Sequence, residues 1–137
     1  PPMTRAILLP VGRNWYALPP VALQEVVADP DVTELPAAPA TVRGLFNVRG
    51  QILPLLDTGA LLGLERPARC PFAAVVRTAH GPAGLAVTGM PEPAELAWLV
   101  GPTRARGTMG AYAAGARIAV MLDPQVLTAQ VHPPGGR

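Results

Sequence analysis

The stretch GLFNVRGQILPLLD, Gly44–Asp57, sets two apolar runs on either side of a polar knot, Asn47-Val48-Arg49-Gly50-Gln51. The pattern predicts a β-hairpin, with strands over Leu45–Val48 and Ile52–Leu56 joined at Arg49-Gly50. Arginine is an odd choice for such a turn, where Asn or Asp beside Gly is the ordinary one. Its guanidinium would point into solvent or across to a neighbouring loop, and its planar donors suit carboxylates and backbone carbonyls. Read alone, it is an exposed turn arginine. Pro54 cannot donate to a ladder, which predicts an edge or bulged strand for Ile52–Leu56. Asp57 is placed to cap a short helix, TGALLG, that Gly63 stops.

Outward from this hairpin the chain keeps the same grammar of short apolar runs cut by Gly and Pro, the signature of many short strands. Strands are expected over Ala6–Gly12 and Trp15–Pro19, then over Pro71–Thr78 and Gly84–Thr88. Pro19-Pro20 opens a predicted short helix over Val21–Val27, because proline suits a first turn. Val21 and Val26 read as core in that helix. Asp29–Ala40 is too proline-rich for regular structure beyond a few extended residues near Val32–Leu35. Ala94–Val100 fits a helical turn or a strand. MGAYAAG and RIAVMLD form another hairpin, and Asp123 with Pro124 opens a last helix. The tail HPPGGR reads as mobile.

One internal echo stands out. QILPLLDTGALL and RIAVMLDPQVLT both run strand, Asp, short apolar helix, with Asp57 and Asp123 66 positions apart. YALPPVALQEV and GLAVTGMPEPAEL match loosely at a similar offset. Two similar β-rich halves follow from this.

The 137 residues are half apolar and only 15% charged, enough to build a core in a single domain. No apolar run reaches the ~20 residues of a membrane span, and no secretory leader is expected. Pro1-Pro2-Met3 is not an initiator sequence and reads as a cloning remnant or the edge of a longer chain. The single Cys70 cannot form an internal disulfide, reads as a small half-buried group, and fits a cytoplasmic setting.

Lys and Ser are absent, which excludes a phosphate-binding Gly-Lys-Ser/Thr loop, a Schiff-base lysine and a serine nucleophile. His80 and His132 lack partners at metal-ligand spacing and read as surface loop residues. The arginines are scattered and the aromatics few, which argues against nucleic-acid binding. No cofactor, metal or catalytic residue is expected. A small β-barrel enzyme or ligand carrier is the least favoured reading, and binding by a shaped surface the most favoured.

Taken in order, WYALPPVALQEVV, the proline-rich spacer, VRGLFNVRGQILPLLDTGALLGL and ARIAVMLDPQVL resemble the CheW-like domain of bacterial chemotaxis. The resemblance runs from about Ala6 to Ala129, and Asn47-Val48-Arg49-Gly50 with Pro54 and Asp57 is its most specific part. It implies a mainly β fold of two interlocked SH3-like five-stranded β-barrels with short capping helices. The whole chain, 1–137, would then be one domain with interleaved barrels at approximately 14–66 and the remainder.

The resemblance also implies a non-enzymatic cytoplasmic adaptor that couples chemoreceptor tips to the regulatory domain of a CheA-type histidine kinase and assembles into rings or arrays. A module of a larger kinase, pilus-motility or polarity protein is the alternative. The positions matching the receptor-tip groove are Leu23, Glu25 and Arg49, with Asn47 bracing the turn and Gly50 supplying its permissive backbone. The second half departs from the family pattern. Thr88 stands for the usual acid, and Pro91 and Pro93 interrupt the strand expected after it.

Overall fold

A computed structural model describes residues 3–131; the expected mobile tail and His132 lie outside them. β1 (Thr4–Val11) and β2 (Asn14–Leu18) form a hairpin. A 3-10 turn at Pro20–Ala22 leads to β3 (Leu23–Ala28) and, past a bend, β4 (Val32–Thr33). The stretch Gly44–Asp57 falls in β5 (Val42–Val48) and β6 (Gln51–Asp57), followed by α1 (Thr58–Leu61). β7 (Phe72–Thr78) pairs with β8 (Gly81–Val87), and β9 (Glu92–Leu96) and β10 (Leu99–Gly101) follow. β11 (Thr108–Ala114), β12 (Arg117–Leu122) and α2 (Pro124–Thr128) complete the described chain.

The strands make two six-stranded sheets, ordered β10-β11-β12-β2-β1-β9 and β3-β7-β8-β6-β5-β4. In each sheet the two end segments follow one another in the chain, so they are halves of one bent strand, and each sheet curls back toward itself. In the first sheet Ala97 N–H donates to the Ala113 carbonyl at 2.8 Å and Ala113 N–H to that of Trp98 at 3.0 Å, joining β9 and β10 across β11. Counting each bent strand once gives the expected pair of five-stranded SH3-like barrels. The expected boundary at 14–66 is not where pairing divides them. One barrel is β3 to β8. The other is β9 to β12 completed by β1 and β2 from the start of the chain. Local runs reveal strands, but not which distant hairpin closes a barrel.

The halves repeat in detail. Asp57 N–H donates to the Thr41 carbonyl and Asp123 N–H to that of Gly107, both at 2.8 Å, with donors and acceptors each 66 positions apart. Gly44 and Gly110, at the same offset, stand at the bulges of β5 on β6 and of β11 on β12, with φ of 146° and 90°. A Cβ on Gly44 would strike the Thr33 carbonyl and one on Gly110 the Leu99 side chain, so glycine lets the bent strand cross close by.

Three apolar clusters follow from this plan. Ala6, Leu8, Ala17, Leu96 and Met121 fill the first barrel; Phe46, Val48, Leu53, Leu55 and Val75 fill the second. The largest cluster brings Leu9, Tyr16 and Leu18 of one barrel against Val76, Leu85 and Val87 of the other, with Leu61 and Leu127 of the two helices. Each fully buried Leu there contributes about 1.5–3 kcal/mol relative to exposure. The Thr88 hydroxyl staples the crossover between barrels, accepting from Gly12 N–H at 2.9 Å and donating to the Pro10 carbonyl at 3.1 Å.

Three expectations are corrected. Val21–Val27 is mostly strand, not helix: β3 alternates half-buried and exposed, which leaves Val26 36% exposed, and Val21, in the 3-10 turn before it, is 94% exposed rather than in the core. β6 is not an edge, since β5 and β8 flank it; its parallel pairing with β8 begins only at Leu55, just past Pro54. β9 forms through Pro93, which sits opposite Ile7 where only β1 flanks the strand.

Candidate functional site

The Arg49-Gly50 turn has φ of 54° and 84°, both positive, as a two-residue turn of type I′ demands. Gly50 adopts this freely, whereas a side chain at Arg49 is strained in the left-handed region. The Asn47 side-chain oxygen accepts the Gly50 N–H at 2.9 Å and locks the turn. Asn47 and Gly50 are themselves exposed.

The alternation of β3 puts Glu25 and Val27 on one face, and a bulge between Leu23 and Glu25 turns Leu23 to the other, toward the cluster between the barrels. Glu25 Oε1 lies 3.4 Å from Arg49 Nη2. The arginine is 80% exposed, so the pair adds little stability; its effect is to hold a guanidinium over the barrel end. Beneath it is a cavity of about 220 Å³ lined by Gln24, Glu25, Val48, Leu53, Val75 and Pro82, among others. Leu23 is half-buried against the cluster between the barrels. The structure therefore brings Glu25 and Arg49 together over a recess, with Asn47 and Gly50 as supports and Leu23 to one side.

A larger apolar groove, about 590 Å³, had no signal in the sequence. It runs between the proline-rich spacer at Leu35–Pro39, the outer face of the second barrel at Leu45 and Pro54, and the segment after α2 at Gln130 and Val131. Its walls come from residues far apart in the chain, so only the fold assembles it. Pro82 lines both recesses, making them neighbours on one surface. His80 is exposed at the rim of this groove.

Other polar groups explain themselves structurally. Asp57 is fully buried; its Oδ1 accepts from Ala60 N–H at 2.9 Å as a helix cap, and its Oδ2 meets Arg43 Nη1 at 2.6 Å and Arg66 Nε at 3.5 Å. Arg43 goes on to the Pro67 and Ala68 carbonyls and ties down the loop before β7. Burial pushes the half-buried Cys70 thiol up, partly opposed by Arg43, which disfavours a thiolate. Among the described residues no group of three or more His, Cys, Asp or Glu side chains could hold a metal, and no helix is long and apolar enough to cross a membrane.

The model of the CheW-like domain family matches residues 5–132. Protein PilI of Pseudomonas aeruginosa is 36% identical over 55 residues, 40% of this chain and 31% of that protein. Chemotaxis protein CheW of Treponema pallidum is 36% identical over 47 residues, 34% of this chain and 28% of its own. Chemotaxis protein CheW of Helicobacter pylori is 34% identical over 55 residues, 40% and 33% of the two chains. The matched stretches thus span about a third of these relatives' lengths. The fold is similar to that of the scaffolding protein TtCheW from Thermoanaerobacter tengcongensis, with a TM-score of 0.79 at 20% identity over 92% of each chain.

Proposed function

The chain belongs to the CheW-like domain family, and from that premise we propose that it is a non-enzymatic cytoplasmic adaptor. It couples the cytoplasmic tips of methyl-accepting chemoreceptors to the regulatory domain of a CheA-type histidine kinase. The observation that carries this reading is the Glu25–Arg49 pair, set over a recess at the end of the second barrel on a turn that is strained at the arginine alone. Strain kept at an exposed residue that contributes little to stability points to a task beyond folding. A guanidinium held beside a recess walled by both polar and apolar side chains suits a helix hairpin that presents both kinds. Leu23, Glu25 and Arg49 grip that hairpin, and Asn47 and Gly50 fix the arginine's approach.

The kinase regulatory domain, built on the same family plan, meets the barrel ends and allows rings or arrays to grow. A pull-down with a receptor signalling fragment and with the kinase regulatory domain tests both partners. Capture of both by the wild-type chain is the expected result, and capture of neither contradicts the reading.

A further inference from the structure

The two barrel ends are one position built twice, and one of them is already filled. Glu25 stands opposite Val75, Val75 opposite Gly84, and Gly84 opposite Leu55. In the other barrel Glu92 stands opposite Leu8, Leu8 opposite Ala17, and Ala17 opposite Met121. Leu55 and Met121 are 66 positions apart, so the rungs coincide and Glu92 is the counterpart of Glu25. The same rungs make Trp15 the counterpart of Pro82, while Ala114 and Ala119 answer Val48 and Leu53 at the repeat's offset of 66.

At the first barrel's end the Trp15 ring packs on the interior cluster that holds Leu8, Ala114 and Ala119. The Arg117 guanidinium lies over that ring, 4.2 Å from its centroid, and Glu92 holds Arg117 at 2.7 Å. The arrangement is an aromatic plug, capped by an arginine on β12 that an acid on β9 steadies across the barrel end. The second barrel has the acid, Glu25, but Gln51 at the position of Arg117 and Pro82 in place of the indole; its arginine, Arg49, comes instead from the turn just before Gln51, and a recess of about 220 Å³ is left open.

We infer that this cavity receives a single-ring aromatic side chain, phenylalanine or tyrosine, from the partner, seated beneath Arg49 as Trp15 sits beneath Arg117. The inference rests on the proposal that the partner hairpin docks at this end, and it names the side chain that enters. Val48 and Leu53 are bulkier than Ala114 and Ala119, so the recess is too shallow for an indole. A benzene-sized ring is accommodated by a cavity of roughly 150 Å³.

The test titrates N-acetyl-phenylalaninamide and N-acetyl-leucinamide separately into the isotope-labelled protein and follows its amide resonances. Saturable shifts confined to Val48–Leu53 and Val75 are expected, with the phenylalanine compound bound about threefold or more tightly, the scale of one exposed arginine–ring contact. Arg49→Gln should abolish that preference while both compounds still reach the recess. Equal binding of the two compounds, no saturable binding, or shifts elsewhere would overturn the inference.

An independent arm empties the first barrel's plug with Trp15→Ala, or Trp15→Leu if the alanine variant does not fold, and adds free indole. Recovery of the lost thermal midpoint supports the plug, and no recovery contradicts it. If a receptor signalling fragment binds the wild type while the aromatic compound does not, this inference fails and the adaptor reading stands. If the compound binds and neither receptor nor kinase does, the recess takes a ring but the adaptor reading fails, and with it the receptor hairpin as the source of that ring.

Discussion

Arg49 occupies a backbone conformation that glycine would adopt without strain. Replacing it with glycine should therefore stabilise the fold by about 0.5–1 kcal/mol, since the relief of left-handed strain outweighs the added freedom of the unfolded chain. Thermal unfolding checks this: the midpoint rises for Arg49→Gly, and a fall would show that the Glu25 pair matters to folding after all. Thr58 offers a second case. It is fully buried, and its hydroxyl has no hydrogen-bond partner among the described residues. Thr58→Val keeps the shape and removes the unsatisfied group, so a gain of about 1 kcal/mol is expected in denaturant unfolding. A loss would mean that the hydroxyl finds a partner in solution. At this scale the sequence was legible where a residue type broke a local rule, as arginine does in the turn. Val26 was illegible because its exposure depends on a strand pairing that its neighbours do not announce.

The two strand–Asp–helix elements carry the same cap in different surroundings. Asp123 accepts from Gln125 and Val126 N–H at 3.1 and 3.3 Å, with no cation paired to it among the described residues. Asp57 adds to its cap a buried pair with Arg43. Asp123→Ala should cost about 1 kcal/mol, the usual value of a cap. Asp57→Ala should cost about 3–5 kcal/mol, because it leaves the largely buried Arg43 without its counter-charge. Equal losses in urea unfolding would contradict the difference in environment. Both caps and both helices were readable from Asp before a short apolar run. The Val21–Val27 segment was not, because Pro19-Pro20 imitates a helix start. The pairing of Leu23–Ala28 with β7, a long-range contact, overrides that local signal.

Over the whole molecule, the pairing of two barrels was foreshadowed by the echo between Asp57 and Asp123, and the family resemblance supplied the barrel type. The permuted closure, with β1 and β2 completing the barrel that β9 opens, was hidden because no local pattern encodes which distant hairpin fills a gap. The same closure leaves one barrel end plugged by Trp15 and the other open beneath Arg49, an asymmetry that gives an otherwise twofold body one receiving face. Calorimetric titration of a chemoreceptor signalling fragment into the wild-type protein and into Arg49→Ala tests that face most directly. Saturable binding to the wild type, weakened in the variant by about 2 kcal/mol or more while its unfolding stays cooperative, is the predicted result. Undiminished affinity in the variant, or no heat of binding with the wild type, would contradict it.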